Sequence, residues 1–129
     1  MNPKPLQRIL HTEDEADIQT VVKIALETVG GFTLRSCGSG QEAIAQAPAF
    51  APDLILLDVM MPGMDGPATL AALRALPGME NVPAVFMTAK VQPSEVAHFK
   101  SLGAIDVIAK PFDPMALAAR VRAIWNAQP

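Results

Sequence analysis

Two kinds of apolar run alternate along this chain of 129 residues, and their order predicts its architecture. Runs that are apolar on successive positions suit strands covered on both faces, whereas apolar residues three and four apart suit helices packed by one face. Arg8 to Thr12 is the first strand candidate. Behind it Ile18, Val21, Val22, Ala25, Leu26 and Val29 fall at helical spacing until Gly30-Gly31 ends the helix. Phe32 to Cys37 predicts a second strand, and Ser39-Gly40-Gln41-Glu42 has the capping-box form that opens a helix running to about Ala47. Asp53 to Asp58 is apolar at every inner position, which marks the central strand of a parallel sheet. After a Pro- and Gly-rich loop, Pro67 to Leu76 predicts a helix with Leu70 and Leu73 inward, and Val82 to Thr88 another apolar strand. Pro93 to Leu102, a weaker helix with Phe99 inward and His98 outward, precedes a strand over Ala104 to Ala109. Asp113-Pro114 supplies a cap and a first-turn proline for a last helix carrying Leu117, Val121 and Ile124.

Five strand–helix units in that order predict an α/β fold, a parallel sheet with right-handed crossovers and helices on both faces. The twelve prolines and eight glycines fall mostly between the periodic segments, and no internal repeat competes with the reading. Length and an apolar half of the composition fit one domain over 1–129, with an ordered core of about 7–127. Composition then narrows the partners. Net charge is −3, and the ten Lys and Arg are scattered, so there is no electrostatic footprint for nucleic acid. The single cysteine, Cys37, cannot form an internal disulfide and reads as a packed or partly exposed thiol in a reducing cytoplasm. No apolar run approaches the ~20 residues needed to cross a bilayer, and Met1 to Arg8 lacks the apolar core of an export signal. A cytoplasmic location is the expectation.

In open parallel sheets, ligands bind beyond the carboxyl ends of the strands, near the point where strand order reverses. Here the first strand leads into Glu13-Asp14-Glu15, the third ends in Asp58, the fourth in Thr88 and the fifth in Lys110. Carboxylates brought together in this way repel unless a cation lies between or beside them. Few, hard oxygen ligands point to Mg²⁺, which shares its shell with water and phosphate oxygens. Asp58 is the candidate nucleophile toward phosphorus. The Thr88 hydroxyl and the Lys110 ammonium can each serve a phosphoryl oxygen, and Lys110 can hold the Asp58 carboxylate before reaction. Pro111 makes a cis Lys110–Pro111 bond the expectation at this strand end.

These residues resemble the receiver domain of bacterial two-component response regulators over nearly the whole chain. The likeness is carried by Ile9-Leu10-His11-Thr12-Glu13-Asp14-Glu15, by Asp53 through Gly66, by Met87-Thr88-Ala89 and by Ala109-Lys110-Pro111-Phe112. The resemblance implies a CheY-like, flavodoxin-like sheet of order 2-1-3-4-5. It also implies a phosphohistidine donor on a sensor histidine kinase or phosphotransfer protein, and an acyl phosphate that shifts the last two units to switch protein contacts. The chain is then no enzyme but a phosphoacceptor that assists its own phosphorylation and dephosphorylation. By position, Asp14 and Asp58 would hold Mg²⁺ with the backbone carbonyl of Met60, and Glu13 would act through metal-bound water. Two departures stand out. Val107 occupies the place where the family usually has an aromatic ring that turns inward on phosphorylation. Lys90 occupies a position that overhangs the phosphoryl group and affects its lifetime.

Plainer readings exist for each residue. Glu13-Asp14-Glu15 could be a solvated loop, Thr88 a cap and Lys110 a surface lysine, but their joint place at strand ends favours a site. Asp65-Gly66 reads as turn and helix-start chemistry, and Met60, Met61 and Met64 as loop packing. His11 reads as a satisfied or partly buried strand histidine rather than a phosphoacceptor or ligand, and Trp125 as a helix-to-core anchor. At the level of function, a free-standing receiver is the leading expectation, beside a receiver belonging to a longer regulator or hybrid kinase. A flavin or nucleotide binder would need a Gly/Ser/Thr-rich loop where the acidic run stands. An aspartyl phosphatase would carry a second aspartate where Met60 stands. A phosphorylation-independent docking module has only Val107 in its favour.

Overall fold

A computed structural model describes residues 4–128. The chain runs β1 (Arg8–Thr12), α1 (Ala16–Lys23) with a π-helical extension (Ile24–Val29), β2 (Thr33–Cys37), α2 (Gly40–Phe50), β3 (Leu54–Asp58), α3 (Gly66–Arg74), β4 (Ala84–Thr88), α4 (Pro93–Ser101), β5 (Asp106–Ala109) and α5 (Leu117–Asn126). All four strand pairings are parallel. Their order is β2-β1-β3-β4-β5, as the resemblance implies.

Alternate residues of the strands feed two cores. Ile9, Leu54, Leu56, Val85, Met87 and Ile108 pack with Val22, Leu26, Leu117, Val121 and Trp125 from α1 and α5. Leu10, Ile55, Leu57 and Phe86 pack on the other face with Ala43, Phe50, Leu70, Leu73 and Phe99 from α2, α3 and α4. Coverage on both faces explains why β3 and β4 are buried at every position. Each such Leu, Val or Phe contributes about 1.5–3 kcal/mol relative to exposure, so the middle of the sheet is its most strongly held part. β2, at the edge, alternates exposed and covered residues instead. Trp125 anchors the C-terminal helix as expected: it is buried, and its Nε1 donates to the Lys4 carbonyl at 2.8 Å.

The departures from the expected boundaries have local causes. Beyond Lys23 the helical bonding widens, so that the Gly30 N–H reaches the Ala25 carbonyl. Of the six positions expected to face inward, Val22, Ala25 and Leu26 are buried while Val21 and Val29 are exposed. α2 continues to Phe50 rather than stopping near Ala47. Pro48 removes one N–H donor, but Ala47 and Phe50 are buried, and Arg8 Nε donates to the Phe50 carbonyl at 2.7 Å. The Arg8 guanidinium also lies 4.3 Å from the Phe50 ring centroid, a cation–π contact. α5 begins at Leu117, later than Asp113-Pro114 predicts. Asp113 spends its acceptors on a separate turn: Oδ1 takes the Met115 N–H at 2.9 Å and the carbonyl takes the Ala116 N–H at 3.0 Å.

The β3–α3 connection is braced just beyond Asp58. Asp65 caps α3 by accepting the Ala68 N–H at 2.8 Å, and the Gly66 N–H donates to the Val59 carbonyl at 2.9 Å. A side chain at Gly66 has no room: a Cβ there would lie 2.5 Å from the Asp58 carbonyl oxygen and 2.9 Å from Val59 Cα. Both contacts are with backbone, which cannot turn away. Gly66→Ala is therefore expected to lower stability by about 1–3 kcal/mol, the usual scale of overpacking. Urea unfolding checks this, and an unchanged midpoint would show that the loop yields freely.

Candidate phosphoacceptor site

The carboxyl ends of the strands bring the expected residues into one crevice. Glu13 leaves β1, Asp58 ends β3, Thr88 ends β4, and Lys110 follows β5. Side chains two apart on a strand share a face, so Glu13, Asp58 and Lys110 form a layer above His11, Leu56 and Ile108. Glu13, Asp58 and Thr88 are almost fully buried, with exposures of 1%, 3% and 2%. Asp14 is exposed. Among the described residues, Glu13, Asp14 and Asp58 each offer a carboxylate oxygen within 4.8 Å of the others. Lys110 Nζ bridges two of them, at 3.0 Å from Asp58 Oδ1 and 3.2 Å from Glu13 Oε1.

Backbone bonds hold these groups in place. The Glu13 N–H donates to the Cys37 carbonyl at 2.9 Å, the Gln19 side-chain amide donates to the Glu13 carbonyl, and the Glu15 N–H donates to Glu13 Oε2 at 3.2 Å. The Lys110 N–H donates to the Thr88 carbonyl at 2.9 Å, tying β5 to β4 at the site. Thr88 Oγ1 accepts the Lys90 N–H at 3.1 Å, so the hydroxyl's own proton stays free to donate elsewhere. The Lys110–Pro111 bond is cis, as the strand-end proline predicts.

Electrostatics follow from this packing. Burial and then the neighbouring Asp58 charge raise the Glu13 carboxyl above its ordinary value, only partly opposed by the Glu15 N–H and Lys110. Burial works against the Lys110 charge, but its hydrogen bond and ion pair with Asp58, then those with Glu13, hold the ammonium above the usual lysine value. One lysine thus compensates carboxylates that still repel one another. A further hard cation fits this donor set: Asp14 and Asp58 offer oxygens, and nothing among Glu13, Asp14 and Asp58 is soft enough to favour a thiophilic metal.

Two cavities adjoin Lys110. One, of about 210 Å³, is lined by Glu15, Asp58, Met60, Thr88, Ala89 and Lys110. The other, about 380 Å³ and apolar, is lined by Ile18, Val21, Ala89, Lys110, Pro111, Phe112 and Pro114. The sequence does not single out Glu15, which lines the first cavity, although it stands in the acidic run; adjacency alone does not say which way its side chain turns. Val21 in the second is a residue whose helical spacing predicts burial.

His11 corrects another expectation. It is fully buried, and neither ring nitrogen finds a hydrogen-bond partner among the described residues; Ser36 Oγ, on the strand position paired with it, is also unpartnered. The expected satisfied histidine is thus an unsatisfied one. Its paired residue on β3 is Leu56, whose side chain offers no hydrogen-bonding group. Burial, reinforced by the Lys110 charge, lowers its pKa from 6.5 to about 3. A histidine with a depressed folded-state pKa contributes stability that is present above 6.5 and is lost as pH falls toward 3, because unfolding takes up a proton. His11→Val is expected to be more acid-stable. The gap between variant and wild type should widen by up to about 1.4 kcal/mol per pH unit across that window. Urea midpoints at pH 7, 6, 5 and 4 measure it, and a constant gap would refute the neutral buried imidazole.

Comparison with known proteins agrees with the geometry. The family model of the response regulator receiver domain matches residues 9–122. The chain belongs to that family. It is 42% identical over 117 residues to the DNA-binding response regulator MtrA of Mycolicibacterium paratuberculosis, covering 91% of this chain and 50% of that protein. It is 37% identical over 118 residues to the alkaline phosphatase synthesis transcriptional regulatory protein PhoP of Bacillus subtilis, covering 92% and 48%. The chain thus spans about half the length of these curated relatives. Among solved structures, the Vibrio cholerae chemotaxis protein CheY4 superposes with a TM-score of 0.84 at 27% identity, covering 92% of this chain and 98% of that one. A putative response regulator from Chloroflexus aurantiacus gives 0.82 at 31% identity, covering 95% and 99%.

Proposed function

We propose that this chain is a phosphorylation switch in which Asp58 accepts a phosphoryl group from a phosphohistidine donor, a sensor kinase or phosphotransfer protein. The observation that carries the reading is the Lys110 ammonium bridging Asp58 and Glu13 within a group of three carboxylates at the carboxyl edge of the sheet. Asp14, Asp58 and the Met60 carbonyl would hold Mg²⁺, with Glu13 set to act through water on that ion. When bound, Mg²⁺ neutralises phosphoryl oxygens as they approach the acidic site.

An Asp58 carboxylate oxygen attacks phosphorus, the P–N bond to the donor imidazole breaks, and the electron pair leaves with the imidazole. Lys110 releases part of its hold on Asp58 and turns its charge to the transferred phosphoryl group, while Thr88 donates its free hydroxyl proton to another phosphoryl oxygen. Water attack on the acyl phosphate later returns Asp58 and inorganic phosphate. The apolar cavity beside Lys110 offers a place for the donor protein to seat next to Asp58. The output is a change in protein contacts, and the chain works in the cytoplasm. The same switch serves a free-standing receiver and one joined to an output domain.

Intact mass after incubation with acetyl phosphate tests the reading. Wild type should gain one phosphoryl group with Mg²⁺ and none with EDTA, and Asp58→Asn should gain none while melting as a folded protein. Acyl phosphate retained by Asp58→Asn would sink the assignment. The exposed Asp14 gives a separate test. Asp14→Ala should weaken Mg²⁺ binding at least about tenfold, the scale on which even outer-shell partners act, with little change in melting temperature of the metal-free protein. Titration calorimetry reads the affinity and thermal melting the stability.

A further inference from the structure

The acidic loop holds one more carboxylate than the site needs. Glu13, Asp14 and Asp58 supply three negative charges and Lys110 one positive charge, and a divalent cation would supply the other two, which would leave the site neutral before a donor arrives. Glu15 lies outside this balance. It sits at the N-cap position of α1, but its side chain does not cap the helix. It is exposed and lines the cavity that leads to Asp58, with Met60, Thr88, Ala89 and Lys110. Among the described residues that line the cavity, Lys110 is the one cation, and it is already paired with Asp58 and Glu13.

We propose that Glu15 is a specificity-determining residue: its negative charge, on a cavity that Asp58 also lines, disfavours small phosphodonors that arrive as dianions. The inference rests on the receiver reading and deepens it. A phosphodonor must bring phosphorus to within bonding distance of an Asp58 oxygen, and every small donor carries its charge past Glu15 on the way. A donor protein meets the same charge but also gains contact with the apolar surface of Ile18, Val21, Pro111 and Phe112, which offsets the repulsion. Glu15 therefore acts on the choice of donor, without touching the metal or the nucleophile.

The test compares initial second-order rates of Asp58 phosphorylation by acetyl phosphate and by phosphoramidate, in saturating Mg²⁺, for wild type, Glu15→Gln and Asp17→Asn. Asp58 forms its O–P bond in both cases, while acetate leaves one donor and ammonia the other. Acetyl phosphate is a dianion near neutral pH, and phosphoramidate carries one negative charge fewer. Glu15→Gln is expected to raise the acetyl phosphate rate roughly threefold to tenfold at low salt, with a smaller gain for phosphoramidate and both gains shrinking in high salt. Asp17→Asn makes the same change in net charge on an exposed site of α1 outside the cavity, and should move either rate by less than about twofold. Calorimetry sets the Mg²⁺ concentration that saturates each variant, so a weaker hold on the cation in Glu15→Gln does not enter the rates. An equal gain for both donors or an equal effect of Asp17→Asn would each overturn the inference while leaving the receiver reading intact. Failure of wild-type Asp58 to take phosphoryl from either donor would overturn the receiver reading, and this inference with it.

Discussion

Three carboxylates held within 4.8 Å of one another repel, and a fold that keeps them there must pin them from outside. Two of the three are nearly fully buried, which deepens the repulsion by taking away water. Lys110 relieves part of it from the far side of the sheet. It is separated from Glu13 by 97 residues in sequence and 3.2 Å in space. Only a parallel sheet with β1 and β3 at its centre and β5 at its edge allows that meeting, since all strands then deliver their carboxyl ends to one side. The negative charge left over is what a hard cation would balance in the proposed switch.

The layer beneath the charges is built to resist them. β3 and β4 are covered on both faces, and the loop after Asp58 is braced by the close approach of Gly66 to the Asp58 carbonyl. His11 is the exception in this layer. An apolar side chain would pack beside Leu56 without unpaired nitrogens, and the imidazole there leaves both unpartnered among the described residues. Burial and Lys110 together keep it neutral, so it adds no charge to a site already short of cations. Below pH 6.5 it makes the fold acid-sensitive directly beneath the candidate site, and nothing in the proposed transfer uses it.

Fold and site were legible in the sequence to different depths. The strand–helix rhythm, the fully apolar Leu54 to Leu57 run and the capping residues Ser39 and Asp65 predicted elements that formed, because those signals act over a few residues. The gathering of Glu13, Asp58, Thr88 and Lys110 followed from topology, because each stands at the same end of its strand. What failed were the properties set by packing at a distance. Spacing could not show that π-helical bonding would turn Val29 outward, nor that Arg8 would hold α2 together past Pro48 by its bonds to Phe50. Nor did it show Glu15 lining the cavity that Asp58 lines, since that depends on how the acidic loop is tied to Cys37, Gln19 and Glu13 itself.

The same packing bears on how a phosphorylated Asp58 would be read out. Val107 is buried among the α2–α3–α4 core residues, so this position holds a small packed side chain rather than a ring able to swing, and Arg120 donates to its backbone carbonyl at 3.4 Å. Thr88 has the freer coupling. Its oxygen accepts the Lys90 N–H while its proton remains available, so a movement that brings the hydroxyl to a phosphoryl oxygen pulls on the backbone at Lys90 as well. That backbone leads directly into α4, where Phe99 is buried, Val96 packs partly buried against the same core, and Val91 is exposed at the entrance. A helix held by so few apolar side chains shifts at less cost than one packed along a full face. In the proposed switch the displacement therefore runs from Thr88 through the following loop to α4, where the tilted contact between Phe99 and Phe86, 5.3 Å between centroids, would slide rather than break.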